Sequence, residues 1–400
     1  MFHRKKSSYF SKFVVSESTS SKKLWKKLSP NLKPNSRQAP NPSLILKGPS
    51  INPDLDLANM FCNYFSTITS KFKFEPLNLC LEYSTKLFNN LPRISVSIDS
   101  GFKLTEFSTD EIIEAMKGLK PNSGAGEVGI ESSVLIEAAD EIGESIKNLF
   151  NLILYTGTFP DDWKVAHITP IYKGKGSKSL LENYRPISIL PPIAKLFESL
   201  ISRKLYDHLE QGKLLHDSQY GFRKSRSCEL ALNSMIESWR ESLDSKKEVL
   251  TMFLEFSKAF DTVDHTLLIH KLKYFNFHSS VINLLKNYLS NRSVRVRIND
   301  TLSKKNDLGN VSVPQGSCLG PLLFILYIND LGHLKLNSKC WLFADDTTLS
   351  SEGKNVEEIK CNLQEDLITI TTWLKFNRLI INLSKTHKKY NDKWNQRSKR

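Results

Sequence analysis

The chain has 400 residues, more than one typical domain, and a hydrophobic content of 40% that is enough to bury a sizeable core. Its formal net charge of +14 is concentrated at the ends: residues 1–50 hold 11 Lys and Arg against one acid, and residues 385–400 hold seven against one. Such ends suit a polyanion partner, although blocks of like charge are often solvated tails. The longest apolar run, Pro321 to Ile328, falls far short of the roughly 20 residues of a membrane span, and the basic N-terminus is followed by no apolar stretch of the secretory kind. Six scattered cysteines (Cys62, Cys80, Cys228, Cys318, Cys340 and Cys361) include no C-x-x-C pair, which argues against a zinc site and fits the reduced thiols of an intracellular protein.

Taken in order, residues 1–60, rich in Ser, Lys, Asn and Pro, read as linker apart from a short candidate helix near 21–28, and a helix is expected over 54–72, in which Leu57, Met60, Phe61, Tyr64 and Phe65 recur at helical spacing. Ser108 with Glu111 forms a capping box, and Ile112, Ile113 and Met116 mark the buried face of the helix it opens, with Gly118 as the stop. A loop over 121–129 precedes a second helix over 131–155, closed by Gly157 and Pro160. Extended arms at 166–173 and 183–189 flank the tip Lys173-Gly174-Lys175-Gly176-Ser177-Lys178 and predict a hairpin. Its lysines can meet phosphates as point charges, while Arg185 offers a bidentate fork. A helix over 192–210 leads to the stretch 217–226, where Arg223, Lys224 and Arg226 interleave with Tyr220 and Phe222. That mixture suits a nucleic-acid strand, with phosphates on the cations and bases or sugars on the rings. A helix over 227–243 follows.

Residues 249–254 form a buried strand that runs into Glu255, just before the turn to a helix starting near His265; a carboxylate at such a strand end occupies the usual place of a functional group. Arg295 and Arg297, between Tyr288 and Ile298, suggest an edge hairpin. The turn 313–321 delivers an apolar helix over 322–331, and about ten residues later comes Phe343-Ala344-Asp345-Asp346-Thr347-Thr348-Leu349. Aspartate resists burial as an anion, so two of them inside an apolar, strand-favouring run predict a tight turn whose charges are held by a cation. An ordinary hairpin turn is the competing reading. Set side by side, Glu255 and the Asp345-Asp346 pair would hold two divalent cations about 4 Å apart, the arrangement used for in-line phosphoryl transfer. The order of elements predicts an α+β architecture rather than a doubly wound sheet.

The ordered series Asn183-Tyr184-Arg185-Pro186-Ile187-Ser188, Gln219-Tyr220-Gly221-Phe222-Arg223, Phe256-Ser257-Lys258-Ala259-Phe260-Asp261, Pro314-Gln315-Gly316 and Phe343-Ala344-Asp345-Asp346 resembles the reverse transcriptase of non-LTR retrotransposons, the jockey-like group in particular, over roughly residues 100–386. The resemblance implies a right-hand polymerase of fingers and palm, with an antiparallel palm sheet and packed helices. Such an enzyme uses two Mg²⁺ ions, or Mn²⁺ in their place, and its partners are an RNA template, a DNA primer and deoxynucleoside triphosphates. Residues 1–100 then correspond to the connector that follows an endonuclease, 101–245 to a fingers-like region, 246–386 to the palm and 387–400 to a basic tail. Neither the endonuclease nor the thumb is expected in this chain.

By the same resemblance Asp345, Asp346 and Glu255 are metal ligands, joined by the carbonyl of Phe256. Phe260 falls where an aromatic excludes the ribose 2′-hydroxyl, and Gln315 with Gly316 where template and incoming nucleotide are braced. Lys173, with Lys175 as competitor, and Arg185 meet the triphosphate; Gln219, Gly221, Phe222 and Arg223 fall to template and primer; Lys385 matches a lysine regarded as the acid for pyrophosphate. One position departs from the pattern, which has Asp where this chain has Glu255. The extra methylene moves the carboxylate by more than about 1 Å, and misplacement of that size can cost about 10²-fold in rate. A catalytically silent nucleic-acid-binding remnant is therefore the alternative to a working polymerase.

Overall fold

In the computed structural model, which describes residues 52–90, 101–121 and 123–391, helices precede the first strand. Helix α1 (Pro53–Ser66) begins at Asn52, whose side chain accepts from the Leu55 N–H at 3.1 Å, and α2 (Leu77–Asn89) follows a short 3₁₀ turn, Ile68–Lys71. Ser108 caps α3 (Thr109–Lys117) by accepting from the Glu111 N–H at 3.2 Å, as the capping box predicts. The helix expected over 131–155 is two helices, α4 (Ser132–Glu137) and α5 (Ala139–Thr156), separated at Ala138. Nothing in the local sequence explains that break.

Strands β1 (Val165–Tyr172) and β2 (Tyr184–Ile189) come next, then α6 (Pro192–Gln211), α7 (Cys228–Asp244), β3 (Glu248–Glu255), α8 (His265–Leu272) and α9 (Ser279–Leu289). Three strands, β4 (Ser293–Ile298), β5 (Thr301–Leu302) and β6 (Asn306–Asp307), lead to α10 (Gly320–Ile328). The chain continues through β7 (Lys339–Phe343), β8 (Asp346–Gly353), α11 (Val356–Phe376) and β9 (His387–Asn391). Helix α10 gives way to a 3₁₀ turn, Asn329–His333, before the end expected for it. The mixture is α+β, as predicted.

These strands make two sheets. One is mixed, in the order β2-β1-β4-β5 with β6 also on β4, and the other is wholly antiparallel, in the order β7-β8-β3-β9. The predicted hairpin is the β1–β2 pair, Tyr172 lying opposite Tyr184. The 288–298 segment supplies one arm of a hairpin, Ile298 of β4 lying opposite Thr301 of β5, but that arm is not an edge: β4 runs parallel to β1 in the sheet interior. Its alternation explains the correction, since Val294, Val296 and Ile298 point to one face and are buried there beneath Leu57, Phe61 and Phe65 of α1.

Packing also crosses the boundaries expected at residues 100, 245 and 386. Helix α1 belongs to the core of the mixed sheet, α2 packs on α8 and α11, β4 joins the hairpin that lies more than a hundred residues earlier in sequence, and β9 pairs with β3. Long-range pairing produces all of these contacts, and composition along the chain does not record it. The strongly basic stretches 1–51 and 392–400 lie outside the described residues. No described helix is long and apolar enough to cross a membrane.

The larger core surrounds α10, whose residues Leu322 to Ile328 are all buried, as a helix apolar on every face requires. It is closed by a fully buried ion pair, Lys271 with Asp330 at 2.8 Å, in which the Lys271 ammonium also donates to the Tyr327 carbonyl at 2.6 Å. Breaking such a pair strands a charge.

Phe61 tests whether α1 is part of the folding unit. It is completely buried, with its ring 5.0 Å from that of Tyr184 in β2. Phe61→Ala is expected to destabilise the chain by about 3–5 kcal/mol in denaturant unfolding; an unchanged midpoint would show that α1 is dispensable.

Candidate active site

The acidic stretch is a two-residue hairpin turn. Phe343 pairs with Asp346 across β7 and β8, leaving Ala344 and Asp345 at the tip. Ala344 takes φ +56°, a left-handed conformation that a residue with a Cβ adopts only when its surroundings hold it. The hold is Gln219, which is 1% exposed and whose Oε1 accepts from the N–H groups of both Gly221 (2.8 Å) and Ala344 (3.1 Å). The segment around it is zipped to β7: the Tyr220 N–H donates to the Leu342 carbonyl, and the Leu342 N–H to the Ser218 carbonyl, each at 2.8 Å. Gly221 lies so near the turn that a Cβ there would sit 2.4 Å from the Ala344 nitrogen. Only glycine fits.

Arg223 secures this support in turn. Its fork grips Glu210 at 2.8 and 2.6 Å, and another N–H reaches the carbonyls of His216 and Gln219. Of the four residues expected at template and primer, Gln219 and Gly221 thus meet the acidic turn and Arg223 braces their segment, while Phe222 is 45% exposed. Lys224 and Arg226 are paired as well, with Asp207 and Asp217. Asp217 lies within the same stretch, but Glu210 and Asp207, on α6, are carboxylates that no local reading of the sequence would match to these cations.

Glu255 ends β3 directly opposite Asp346 in the antiparallel register. This places Glu255, Asp345 and Asp346 in the lining of one cavity of about 430 Å³. Burial, reinforced by Asp346 and Glu255, raises Asp345 above the ordinary carboxylate range; burial and Glu255 do the same to Asp346. Lys385 opposes both shifts, and its ammonium is ion-paired with Glu255. Phe256 also lines the cavity, its N–H donating to the Asp345 carbonyl at 3.3 Å. Clustered hard oxygens whose charges raise one another's pKa match Mg²⁺ or Mn²⁺ in donor type and in their need for positive charge. Among the described residues, however, no three His, Cys, Asp or Glu side chains converge as a ready-made cage for an ion.

Across the cavity stand Lys173, at the end of β1, and Arg185, from β2. The Lys173 ammonium donates to the Glu182 carbonyl at 2.7 Å, and its pKa is lowered to about 8 by burial and by the neighbouring Lys258, Arg185 and Lys385. Lys175 is exposed at the hairpin tip, so of the two competitors Lys173 is the cavity residue. Gln315 joins the lining, and its turn is docked on β2: the Ser188 N–H donates to the Gln315 carbonyl at 2.8 Å, and Gly316, at φ +124°, leaves no room for a Cβ against the Ser188 carbonyl. Phe260 stacks on Phe324 of α10 with centroids 4.6 Å apart and meets Phe222 edge-on at 6.1 Å.

Two further charged residues line the cavity, Lys258 and Asp261, to which the sequence assigns no role. Asp261 is 8% exposed, accepts from the Gln315 amide at 3.0 Å, and has its second oxygen unpartnered; burial raises its pKa to about 6. Both lie within the stretch 256–261 quoted above, where two charged residues in an otherwise mostly apolar strand-to-helix turn were the available signal.

The support of the acidic turn is directly testable. Gln219→Ala leaves two buried N–H groups without an acceptor and is expected to cost about 1–3 kcal/mol in urea unfolding. A cost near zero would mean that the turn holds itself.

Comparison with known proteins fits this arrangement. Residues 172–397 match the family described as reverse transcriptase (RNA-dependent DNA polymerase). The probable RNA-directed DNA polymerase from transposon BS of Drosophila melanogaster is 30% identical over 336 residues, covering 82% of this chain and 36% of that protein. The probable RNA-directed DNA polymerase from transposon X-element of the same organism is 29% identical over 378 residues (94% and 40%). The RNA-directed DNA polymerase from its mobile element jockey is 25% identical over 356 residues (86% and 38%). The chain thus spans 36 to 40% of the length of these curated relatives. With more than half of its residues matched, including the acidic turn and the Gln315 turn, the chain belongs to the reverse transcriptase (RNA-dependent DNA polymerase) family.

Proposed function

We propose that the chain carries the nucleotidyl-transfer site of a non-LTR retrotransposon RNA-directed DNA polymerase, the antiparallel sheet being its palm and the mixed sheet with the 166–189 hairpin its fingers. The observation that carries this reading is the meeting of Glu255, Asp345 and Asp346 from two strands with Lys173 and Arg185 in one cavity. The reactants are a DNA primer paired to an RNA template and a deoxynucleoside triphosphate. The primer 3′-hydroxyl loses its proton to solvent and its oxygen forms a bond to the α-phosphorus, while the bond from that phosphorus to the pyrophosphate oxygen breaks. Divalent cations, which Asp345, Asp346 and Glu255 would hold, supply neutralisation of the charge that builds on the attacking and leaving oxygens.

The remaining work falls to the side chains. Arg185 can grip phosphate oxygens by its fork and Lys173 as a point charge, while the Lys385 ammonium can give a proton to the departing pyrophosphate. Phe260, braced by Phe324, is the aromatic side chain that would exclude a ribose 2′-hydroxyl. Phe222 offers an exposed ring for stacking. The cavity lining is itself balanced: Lys173, Arg185, Lys258 and Lys385 face Glu255, Asp261, Asp345 and Asp346. A triphosphate with two divalent cations is nearly neutral too, so its entry strands no charge.

The ion pair between Glu255 and Lys385 favours the second reading, a silent nucleic-acid binder, because it occupies the carboxylate that departs from the family pattern. Primer extension on an RNA template with Mg²⁺ or Mn²⁺ separates the two. Asp345→Ala is expected to lose extension at least about 10²-fold, and Glu255→Asp to speed it about tenfold or more by restoring the carboxylate's position. Salt-dependent binding with no extension by the native chain or by Glu255→Asp would leave the silent reading.

The lowered pKa of Lys173 adds a pH test. Lysine is cationic below its pKa, and this one sits at about 8, so triphosphate affinity should fall between pH 7 and 9 as the charge is lost. Lys173→Arg should flatten that fall in a KM-against-pH profile. Equal profiles for the two proteins would remove Lys173 from the phosphate site.

A further inference from the structure

Lys258 lines the cavity beside Lys173, yet the backbone there gives no reason for a lysine. It sits between β3 and the 3₁₀ turn Ala259–Asp261 at φ +52°, a left-handed conformation in which glycine and asparagine are at home. Its carbonyl closes the turn by accepting from the N–H groups of Asp261 (2.9 Å) and Thr262 (3.1 Å), which any residue would do equally well. The side chain is the distinguishing part. It reaches back into the field of Lys173 and Asp261, and its ammonium lies 5.8 Å from the ring centroid of Tyr64. The same ring holds Lys71 at 4.7 Å. Tyr64 lies on α1, more than a hundred residues before the segment that matches the family.

Two ammonium groups held close together in a half-buried pocket repel one another, and an anion with several oxygens placed between them removes the repulsion. We propose that Lys258 is a third phosphate-binding residue of the cavity, sharing the oxygens of a polyphosphate with Lys173, and that Tyr64 is the positioning residue that keeps it there. The ligand is the triphosphate of an incoming nucleotide, so the inference rests on the nucleotidyl-transfer reading and deepens it. It also gives α1 a part in nucleotide binding.

The experiment uses the full chain and two separate readouts. Binding of a deoxynucleoside triphosphate with a non-hydrolysable α,β-bridge is measured by calorimetry without primer, and KM and kcat come from primer extension. Lys258→Ala is expected to weaken triphosphate binding about tenfold, to leave nucleoside binding unchanged, and to raise KM with little change in kcat. Lys258→Arg should recover most of the loss, and Tyr64→Leu should raise KM without lowering kcat. If Lys258→Ala does not fold, Lys258→Met keeps the aliphatic stem and removes only the charge. Triphosphate binding equal to that of the native chain in the uncharged variant would overturn the inference while leaving the polymerase reading intact. A native chain that binds no triphosphate would overturn both, and a Lys258-dependent binding without extension would sustain the site and remove the polymerase.

Discussion

Mutual repulsion among Asp345, Asp346 and Glu255 at a partly dehydrated strand end is the constraint on which the described residues depend. Carboxylates so placed drift apart, or take up protons, unless their backbone is held and opposite charge stands nearby. The protein does both. The antiparallel register fixes Glu255 against Asp346, and the Gln219 oxygen, by accepting two backbone N–H groups at once, keeps Asp345 at the tip of a turn that alanine would not choose unaided. The compensating cations come from elsewhere: Lys385 follows α11, while Lys173 and Arg185 belong to the other sheet.

The two sheets are therefore tied by charge as well as by packing. The turn carrying Gln315 is the mechanical joint, since its backbone is bonded to Ser188 of β2 and its amide to Asp261, in the turn that follows β3 of the antiparallel sheet. Phe260 braces one side of this joint, stacked on the buried α10 and touching the loop that supports the acidic turn. A displacement of the Gln315 turn would be felt by both walls of the cavity.

The sequence revealed features whose signal is local. The 166–189 hairpin, the capping box at Ser108, the strand ending at Glu255 and the acidic turn each rest on a few neighbouring residues. Pairings between distant segments were hidden. Nothing near Val294 announces that α1 will cover it, and nothing near Arg223 announces Glu210. The run 217–226 hid its internal partners, because cations and aromatics look alike whether they await a ligand or already hold a partner. Lys258 and Asp261 were in plain view but had no assigned direction, for a left-handed residue at a strand end redirects the chain in a way that periodicity does not follow.

The placement of β1 bears on how the family-matched segment behaves by itself. Residues 172–397 begin at the last residue of that strand, yet β1 is flanked by β2 and β4 in the mixed sheet, and α1 covers the apolar face beside it. A fragment trimmed to the matched residues would keep β2 and β4 but lose the strand between them, exposing two unpaired edges together with the Val294, Val296 and Ile298 face. Open edges beside apolar surface recruit other chains. The family-matched segment is thus shorter than the packed unit it belongs to, whose mixed sheet and its cover draw on residues well upstream of 172.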